Sequence, residues 1–356
     1  MSLNSPLLQV QRIEFLRNSG WAGSHEIPIS GDWSQRAFFR MDRKGKTSIL
    51  IQSFPDDDPR ATPGHRLKDF VRISEYLNEL GLSAPDIYAQ DMAHGLLLVE
   101  DFGSQDFLSL ILQSKGMERD MYLLATSSLK YLYKKTEFIA IDLPDYFSSH
   151  IHKGHQRVVD WYIPAVLGRT NSDQMVTDYL AIWKQIEKEL PPPRRRFVHG
   201  DFHPGNLMWL PARQHFRQAG FLDFQQAMIG PTPYDLVNLL EDARREVPIE
   251  LREECLRFYT DGLSNEDREN ILAWYPVLAT QFHCRVIGQA IRLALRDQKT
   301  RLLSIIPVLR RHIIRDLGNP HLKLLKDWFL SQGIDFHETT PLDLEKIKGF
   351  IRPDAH

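Results

Sequence analysis

Residues 199–206 read His-Gly-Asp-Phe-His-Pro-Gly-Asn, so two imidazoles, a carboxylate and a carboxamide fall within eight positions. Several chemistries could use such a cluster. His199, Asp201 and His203 alternate, and on an extended strand they would share one side, as zinc ligands would require. Pro204 and Gly205 argue for a tight turn instead, and no second His, Cys or Asp cluster is spaced to complete a zinc shell. A purely structural loop is the other simple reading, with His199 and Asn206 satisfying backbone groups. A second acidic motif, Phe-Leu-Asp-Phe at 221–224, weighs against it. Asp223 follows Asn206 by seventeen residues, and the flanking stretches 206–210 and 220–224 have the pattern of a β-hairpin. Asn206 and Asp223 then meet at the hairpin base, with Asp201 on the loop just before it. Two carboxylates and an amide oxygen around one small volume suit Mg²⁺, which prefers hard oxygen donors and keeps waters and phosphate oxygens for its other positions.

The surrounding elements must hold these groups. Residues 36–41 and 47–54 are predicted as strands joined by a turn at 42–46, followed by a polar loop at 56–64. Residues 65–81 are predicted as a helix, with Leu67, Phe70, Val71, Ser74 and Leu77 on one face and Gly81 as its stop. Residues 86–103 are predicted as two further strands. Beyond Gly103 the periodicity becomes helical, over 104–112, 118–136 and 172–190, the last closed by Pro191–Pro193. A short strand at 197–199 and the hairpin interrupt this pattern. From residue 233 to about 332 nearly everything is helical, with Ser264 and Asp267 shaped as an N-terminal cap. The expected fold class is α+β: an N-terminal, nucleotide-binding lobe of antiparallel sheet and one helix at 1–102, then a helical lobe at 103–356 carrying the catalytic loop and substrate site.

Composition narrows the function. With 356 residues, 42% hydrophobic and 25% charged, the chain has the make-up of an ordinary soluble globular protein. A net charge of −2 argues against a broad nucleic-acid or anionic-membrane surface. No apolar run reaches the length of a membrane span, and no basic-then-apolar leader opens the chain. Cys255 and Cys284 stand far apart without metal-type spacing, as in a reducing cytoplasm. A cytoplasmic protein with neither nucleic-acid nor membrane partners is therefore expected.

The Asp-x-x-x-x-Asn spacing of residues 201–206 is that of the kinase catalytic loop, where the aspartate accepts the substrate hydroxyl proton. His-Gly-Asp stands where protein kinases carry His-Arg-Asp, and Asp-Phe-Gln at 223–225 stands where they carry Asp-Phe-Gly. With RAFFRM (36–41), LLLVEDFG (96–103), GPTPYDLVNLLEDAR (230–244) and QFHCRVIGQAIRLALRD (281–297), the chain resembles the aminoglycoside phosphotransferase family from about residue 30 to 320. Within that family it is similar to the bacterial cell-wall amino-sugar kinases, which phosphorylate N-acetylmuramate and N-acetylglucosamine at the anomeric hydroxyl. The resemblance implies a bilobal, kinase-like fold, ATP and Mg²⁺ as cofactors, and a small-molecule acceptor, an amino sugar of peptidoglycan recycling. It implies Asp201 as catalytic base, Asn206 and Asp223 as Mg²⁺ ligands, and His199 as a brace. His203 would lie near the site, in substrate contact or in packing. Asp235 would tie the loop to the helix behind it, and Glu100, Asp101 and Phe102 would meet adenine at the hinge.

The pattern departs from protein kinases in the first lobe. Residues 30–39 hold one glycine, so a phosphate loop there would rely on Ser34, Gln35 and backbone amides. Residues 49–52, aligned with the kinase V-A-I-K strand, put Gln52 where the ATP-pairing lysine belongs. A neutral amide cannot replace that charge. Either Arg36 or Arg40 takes over phosphate neutralisation, or the chain is a pseudokinase that binds nucleotide without chemistry. Aminoglycosides, choline or homoserine are alternative acceptors for the same fold. Trp161, Trp209 and Tyr234 could stack on a sugar, and His152, Lys153 and His155 could meet a carboxylate or simply form a surface loop.

Overall fold

A computed structural model describes residues 6–29, 36–114, 116–339, 341–353 and 355. The chain divides into two compact units. One contains residues up to Asp142 together with His199–Ala227; the other contains Leu143–Val198 and everything from Met228 onward.

The first unit is built on a five-stranded antiparallel sheet of β1 (His25–Ile29), β2 (Ala37–Arg43), β3 (Lys46–Gln52), β4 (Ile87–Asp91) and β5 (Leu96–Glu100), ordered β1-β2-β3-β5-β4. Arg43 pairs with Lys46, which leaves Lys44 and Gly45 as a two-residue loop. Both take positive φ, 54° and 82°, the type I′ turn whose twist matches the flanking strands. Asp42 Oδ1 locks the turn by accepting from the Gly45 N–H at 3.0 Å. On one face of the sheet, Phe39, Met41, Leu50, Leu96 and Leu98 bury against Phe15 and Leu16 of helix α1 (Pro6–Asn18). Neither α1 nor β1 is predicted by periodicity. The apolar residues of α1 are spread around it, with Val10 and Ile13 exposed while Phe15 and Leu16 are buried. In β1 every residue except the half-buried Glu26 is exposed, so no alternation marks it.

Helix α2 (Leu67–Glu79) buries the predicted face and adds Ile73 and Tyr76. Its N-terminus is capped from a distance: the Asp56 carboxylate accepts from the N–H groups of Leu67, at 2.7 Å, and Lys68, at 3.1 Å. Gly81, at φ +86°, ends it as expected. Helix α3 (Phe107–Gln113) is capped by Asp106, and α4 (Met117–Lys135) follows. The hairpin pairs Leu207–Trp209 with Ala219–Phe221. Gly220 is required there, because a Cβ would stand 2.7 Å from the Phe102 ring.

The second unit has a two-stranded ribbon, Arg195–Val198 with Met228–Pro231, and is otherwise helical. Its main helices are Asp173–Glu189, Pro233–Leu240, Ile249–Thr260, Asn265–Arg296 and Ile306–Asp316. Ser264 caps the long helix, its hydroxyl accepting from Asp267 N–H at 3.1 Å. A π-helical turn, Val158–Tyr162, packs on that helix. Gly288 permits the approach, since a Cβ there would fall 2.1 Å from the Arg157 carbonyl oxygen.

Two expectations about this region change. His152, Lys153 and His155 are not a basic surface cluster: His155 is buried and His152 Nε2 pairs with Glu187 Oε1 at 2.7 Å. Trp161 and Tyr234 are buried core aromatics. Cys255 and Cys284 are both buried. Among the described residues no helix is long and apolar enough to cross a membrane.

Candidate active site

The residues singled out around position 200 converge within the first unit. Gly200, at φ +91°, turns the chain so that Asp201 carries its carboxylate half into solvent, at 53% side-chain exposure. Asn206 Nδ2 donates twice to Asp201, to its carbonyl oxygen at 2.9 Å and its Oδ2 at 3.1 Å. The amide is therefore oriented with its oxygen away from Asp201. The Asn206 carbonyl accepts from Leu222 N–H at 3.0 Å, which extends the hairpin ladder to the residue before Asp223. Asp223 itself sits in the left-handed region, at φ +59°, a conformation aspartate tolerates better than most side chains.

The two histidines hold the loop. His199 is fully buried, its ring edge-on to Phe202, Phe221 and Phe224. Its Nδ1 accepts from the Asp201 N–H at 3.3 Å, and the ring packs on Phe221 and Phe224, which flank Leu222 and Asp223. A neutral imidazole protonated on Nε2 leaves Nδ1 free to accept that hydrogen bond. Burial pushes its pKa down to about 4, so the neutral form prevails near pH 7. One ring thus clasps the Asp201 loop to the segment leading into Asp223. His203 Nδ1 accepts from Gly205 N–H at 3.1 Å and caps the turn at Pro204–Asn206, leaving Nε2 3.7 Å from Asp201 Oδ2.

A cationic and amide group gathers on Asp223. Gln225 Nε2 donates to its Oδ1 at 2.6 Å, and Arg36 Nη2 approaches the same oxygen at 3.5 Å. His65 Nδ1 takes bonds from Gln225, at 2.6 Å, and Arg36, at 3.3 Å, so its proton sits on Nε2, 2.9 Å from the Gln226 side-chain amide, whose oxygen is the group that can accept it. Burial, then the Arg36 charge, lowers the His65 pKa and keeps that ring neutral too. The Arg36 side chain is 7% exposed and lies over the Phe38 ring. Burial lowers its pKa from 12.5, opposed by Asp223, but far too little to discharge it at neutral pH.

Other residues singled out in the sequence are placed elsewhere. Arg40 forks onto Asp101, at 2.6 and 3.0 Å, and donates to the Gly103 carbonyl at 2.6 Å. Gln52 shares the face of β3 that holds Leu50, so it points towards α1, where its Oε1 accepts from Arg12 Nη1 at 2.9 Å. Arg12 also pairs with Glu26 and lies over Phe39. The structure does not bring Gln52 to the Asp223 group. Glu100 and Phe102 share one partner: Arg213 donates to Glu100 Oε1 at 2.5 Å and covers the Phe102 ring. Asp235 is buried on the helix Pro233–Leu240 of the second unit. Ser34 and Gln35 lie outside the described residues. The zinc reading of His199, Asp201 and His203 finds no support, because Nδ1 of each histidine faces a backbone N–H.

Comparison with known proteins fits this geometry. Residues 25–274 match the profile of the phosphotransferase enzyme family, abbreviated APH. The chain belongs to that family. Family relatives include the N-acetylmuramate/N-acetylglucosamine kinase of Caulobacter vibrioides, 29% identical in an alignment that covers 90% of this chain and 95% of that one. The protein of the same name from Pseudomonas aeruginosa is 30% identical over 81% of this chain and 82% of its own. Family folds are similar as well. An aminoglycoside 2′-phosphotransferase in complex with GDP matches 87% of this chain and 98% of its own with a TM-score of 0.57, at 14% identity. A spectinomycin phosphotransferase in complex with ADP and spectinomycin matches 91% and 98%, with a TM-score of 0.53, at 13% identity. This family member is a kinase-like α+β protein and a small-molecule kinase.

Proposed function

We propose that the chain transfers the γ-phosphoryl group of ATP, with Mg²⁺, to a hydroxyl of an amino sugar of peptidoglycan recycling, N-acetylmuramate or N-acetylglucosamine. The observation that carries the chemistry is the double hydrogen bond from Asn206 to Asp201, with the residue before Asp223 bonded to Asn206 through the hairpin.

Asp201 is the catalytic base in this reading. Its carboxylate orients the acceptor hydroxyl and takes its proton as the new bond to phosphorus forms. Asn206 keeps that carboxylate in one rotamer. The donor set also suits Mg²⁺: the side-chain bonds of Asn206 described above use Nδ2 and those of Asp223 use Oδ1, so Asn206 Oδ1 and Asp223 Oδ2 are the hard oxygens that would hold it. Bound there, Mg²⁺ would neutralise charge on the phosphate oxygens. Arg36 is the cation this chain offers beside them, in place of a lysine on β3. His199 acts by position alone, holding Asp201 against the segment that bears Asp223.

The acceptor assignment is supported by relatives named N-acetylmuramate/N-acetylglucosamine kinase, each of which matches this chain over most of its own length. The test is ATP consumption with N-acetylmuramate, N-acetylglucosamine, kanamycin and choline side by side. Turnover confined to the amino sugars is expected. Turnover on kanamycin or choline alone overturns the acceptor, and none on any of the four favours a nucleotide-binding pseudokinase.

A further inference from the structure

A second polar centre lies wholly within the other unit and takes no part in the chemistry above. Glu241 follows the helix Pro233–Leu240, His283 lies midway along Asn265–Arg296, and His312 lies on Ile306–Asp316. All three are buried, with side chains 1%, 0% and 8% exposed. His283 Nε2 and His312 Nδ1 stand 3.2 Å apart, and each is 3.9 Å from Glu241 Oε2. Tetrahedral zinc with bonds near 2.0–2.1 Å spaces its ligand atoms about 3.3 Å apart. The histidine edge therefore matches a metal's own spacing, and the two edges to Glu241 are longer than it by about 0.6 Å, within reach of a small side-chain movement.

Its surroundings point the same way. Asp316 Oδ2 lies 2.8 Å from His283 Nδ1. That bond puts the proton on Nδ1 and turns the Nε2 lone pair towards the other two groups, the arrangement that orients metal-binding histidines. Tyr275 OH donates to Glu241 Oε1 at 2.8 Å and fixes the carboxylate, leaving Oε2 towards the histidines. A cavity of about 410 Å³ is lined by Glu241 and His312, so a fourth coordination position would open onto it.

We propose that this unit binds one zinc-class divalent ion through His283 Nε2, His312 Nδ1 and Glu241 Oε2, with a position open to the cavity. Without the ion, His312 Nδ1–H donates to His283 Nε2. Binding needs both lone pairs, so the His312 proton moves to its own Nε2, which faces Glu246 Oε1 at 4.0 Å. Arg315 Nη2 bonds both Glu241 Oε2 and Asp316 Oδ1, each at 2.7 Å, and its Nε also reaches Asp316 at 3.0 Å. It can therefore give up Glu241 and stay anchored. The inference is independent of the kinase reading.

The test uses the tag-free full chain, stripped with a chelator and titrated with Co²⁺. The intense visible bands of low-symmetry, four-coordinate cobalt are expected at one equivalent per chain, and zinc should displace them. His312→Gln should weaken binding at least tenfold, and Asp223→Asn should leave it unchanged. A wild-type protein without the bands overturns the proposal with no variant needed. So does binding that survives His312→Gln, or that disappears in Asp223→Asn.

Discussion

The Asn206 side-chain nitrogen lies 2.9 Å from the carbonyl oxygen of Asp201 and 3.1 Å from its carboxylate. One amide therefore fixes both the backbone and the rotamer of the residue assigned as base. Asn206→Asp would set two carboxylates at hydrogen-bond distance, where one must take a proton or swing away. Turnover in that variant should drop by about 10²-fold or more, in the range of a displaced general base. Steady-state kinetics would measure it, and an unchanged kcat would dissolve the assigned role.

Asp201→Asn keeps size and most hydrogen bonds but removes the proton acceptor. kcat should fall by about 10²–10⁴-fold, while calorimetry should find nucleotide affinity essentially intact. Loss of nucleotide binding would place Asp201 in the wrong part of the reaction.

Arg36 and Gln52 make opposite predictions. Arg36→Gln should raise the KM for ATP by about tenfold or more, the worth of one charge-assisted contact. Gln52→Lys should give no gain in activity, because position 52 faces α1 beside Arg12. It would bury a second cation there and cost about 3 kcal/mol or more of stability. Urea titration and ATP saturation curves on the two variants separate the cases, and a faster Gln52→Lys enzyme would contradict the placement.

Arg40 should matter for stability rather than for nucleotide. Its partner Asp101 is 3% exposed, so Arg40→Ala leaves a buried carboxylate with, among the described residues, only the Gly103 N–H. The expected loss is about 3 kcal/mol, read from the denaturation midpoint, with the KM for ATP nearly unmoved in protein that remains folded.

His199 ties stability to pH. In the unfolded chain a histidine protonates near 6.5, whereas folded His199 does so at about 4. Between those values the unfolded state binds the extra proton, so stability falls as pH falls, by up to about 3 kcal/mol for this one ring. Other buried histidines add to the wild-type slope. His199→Asn removes this share, so its stability should depend less steeply on pH between 6.5 and 4. Equal slopes would mean that His199 is already charged or already open to water.

Local chemistry made part of this legible in advance. The Asp42–Lys46 turn, the stop at Gly81, the cap at Ser264 and the hairpin after Asn206 each depend on a few neighbouring residues, and their positions follow from residue type. Asp201, Asn206 and Asp223 could be grouped because one short hairpin spans them. What stayed hidden depends on partners far along the chain. His65 meets Gln225 and Gln226 across 160 and 161 residues, and nothing in residues 63–67 marks it. Gln52 aligns with the ATP-pairing lysine of kinases, but strand parity and Arg12, forty residues earlier, turn it to the other face. Glu241, His283 and His312 come from three elements, so no spacing betrays them.

The first unit is assembled from two stretches of chain with part of the second unit between them, so the backbone passes between the units three times, after Asp142, Val198 and Ala227. No single break point separates them. A recombination event that joins the front of one such gene to the back of another splits both units between parents when the join falls between residues 143 and 227; an earlier join leaves only the second unit whole, and a later one only the first. Laboratory chimeras that aim to move nucleotide handling from one relative to another need at least two crossovers, near 142–143 and 198–199, and a third near 227–228 to restore the original second unit.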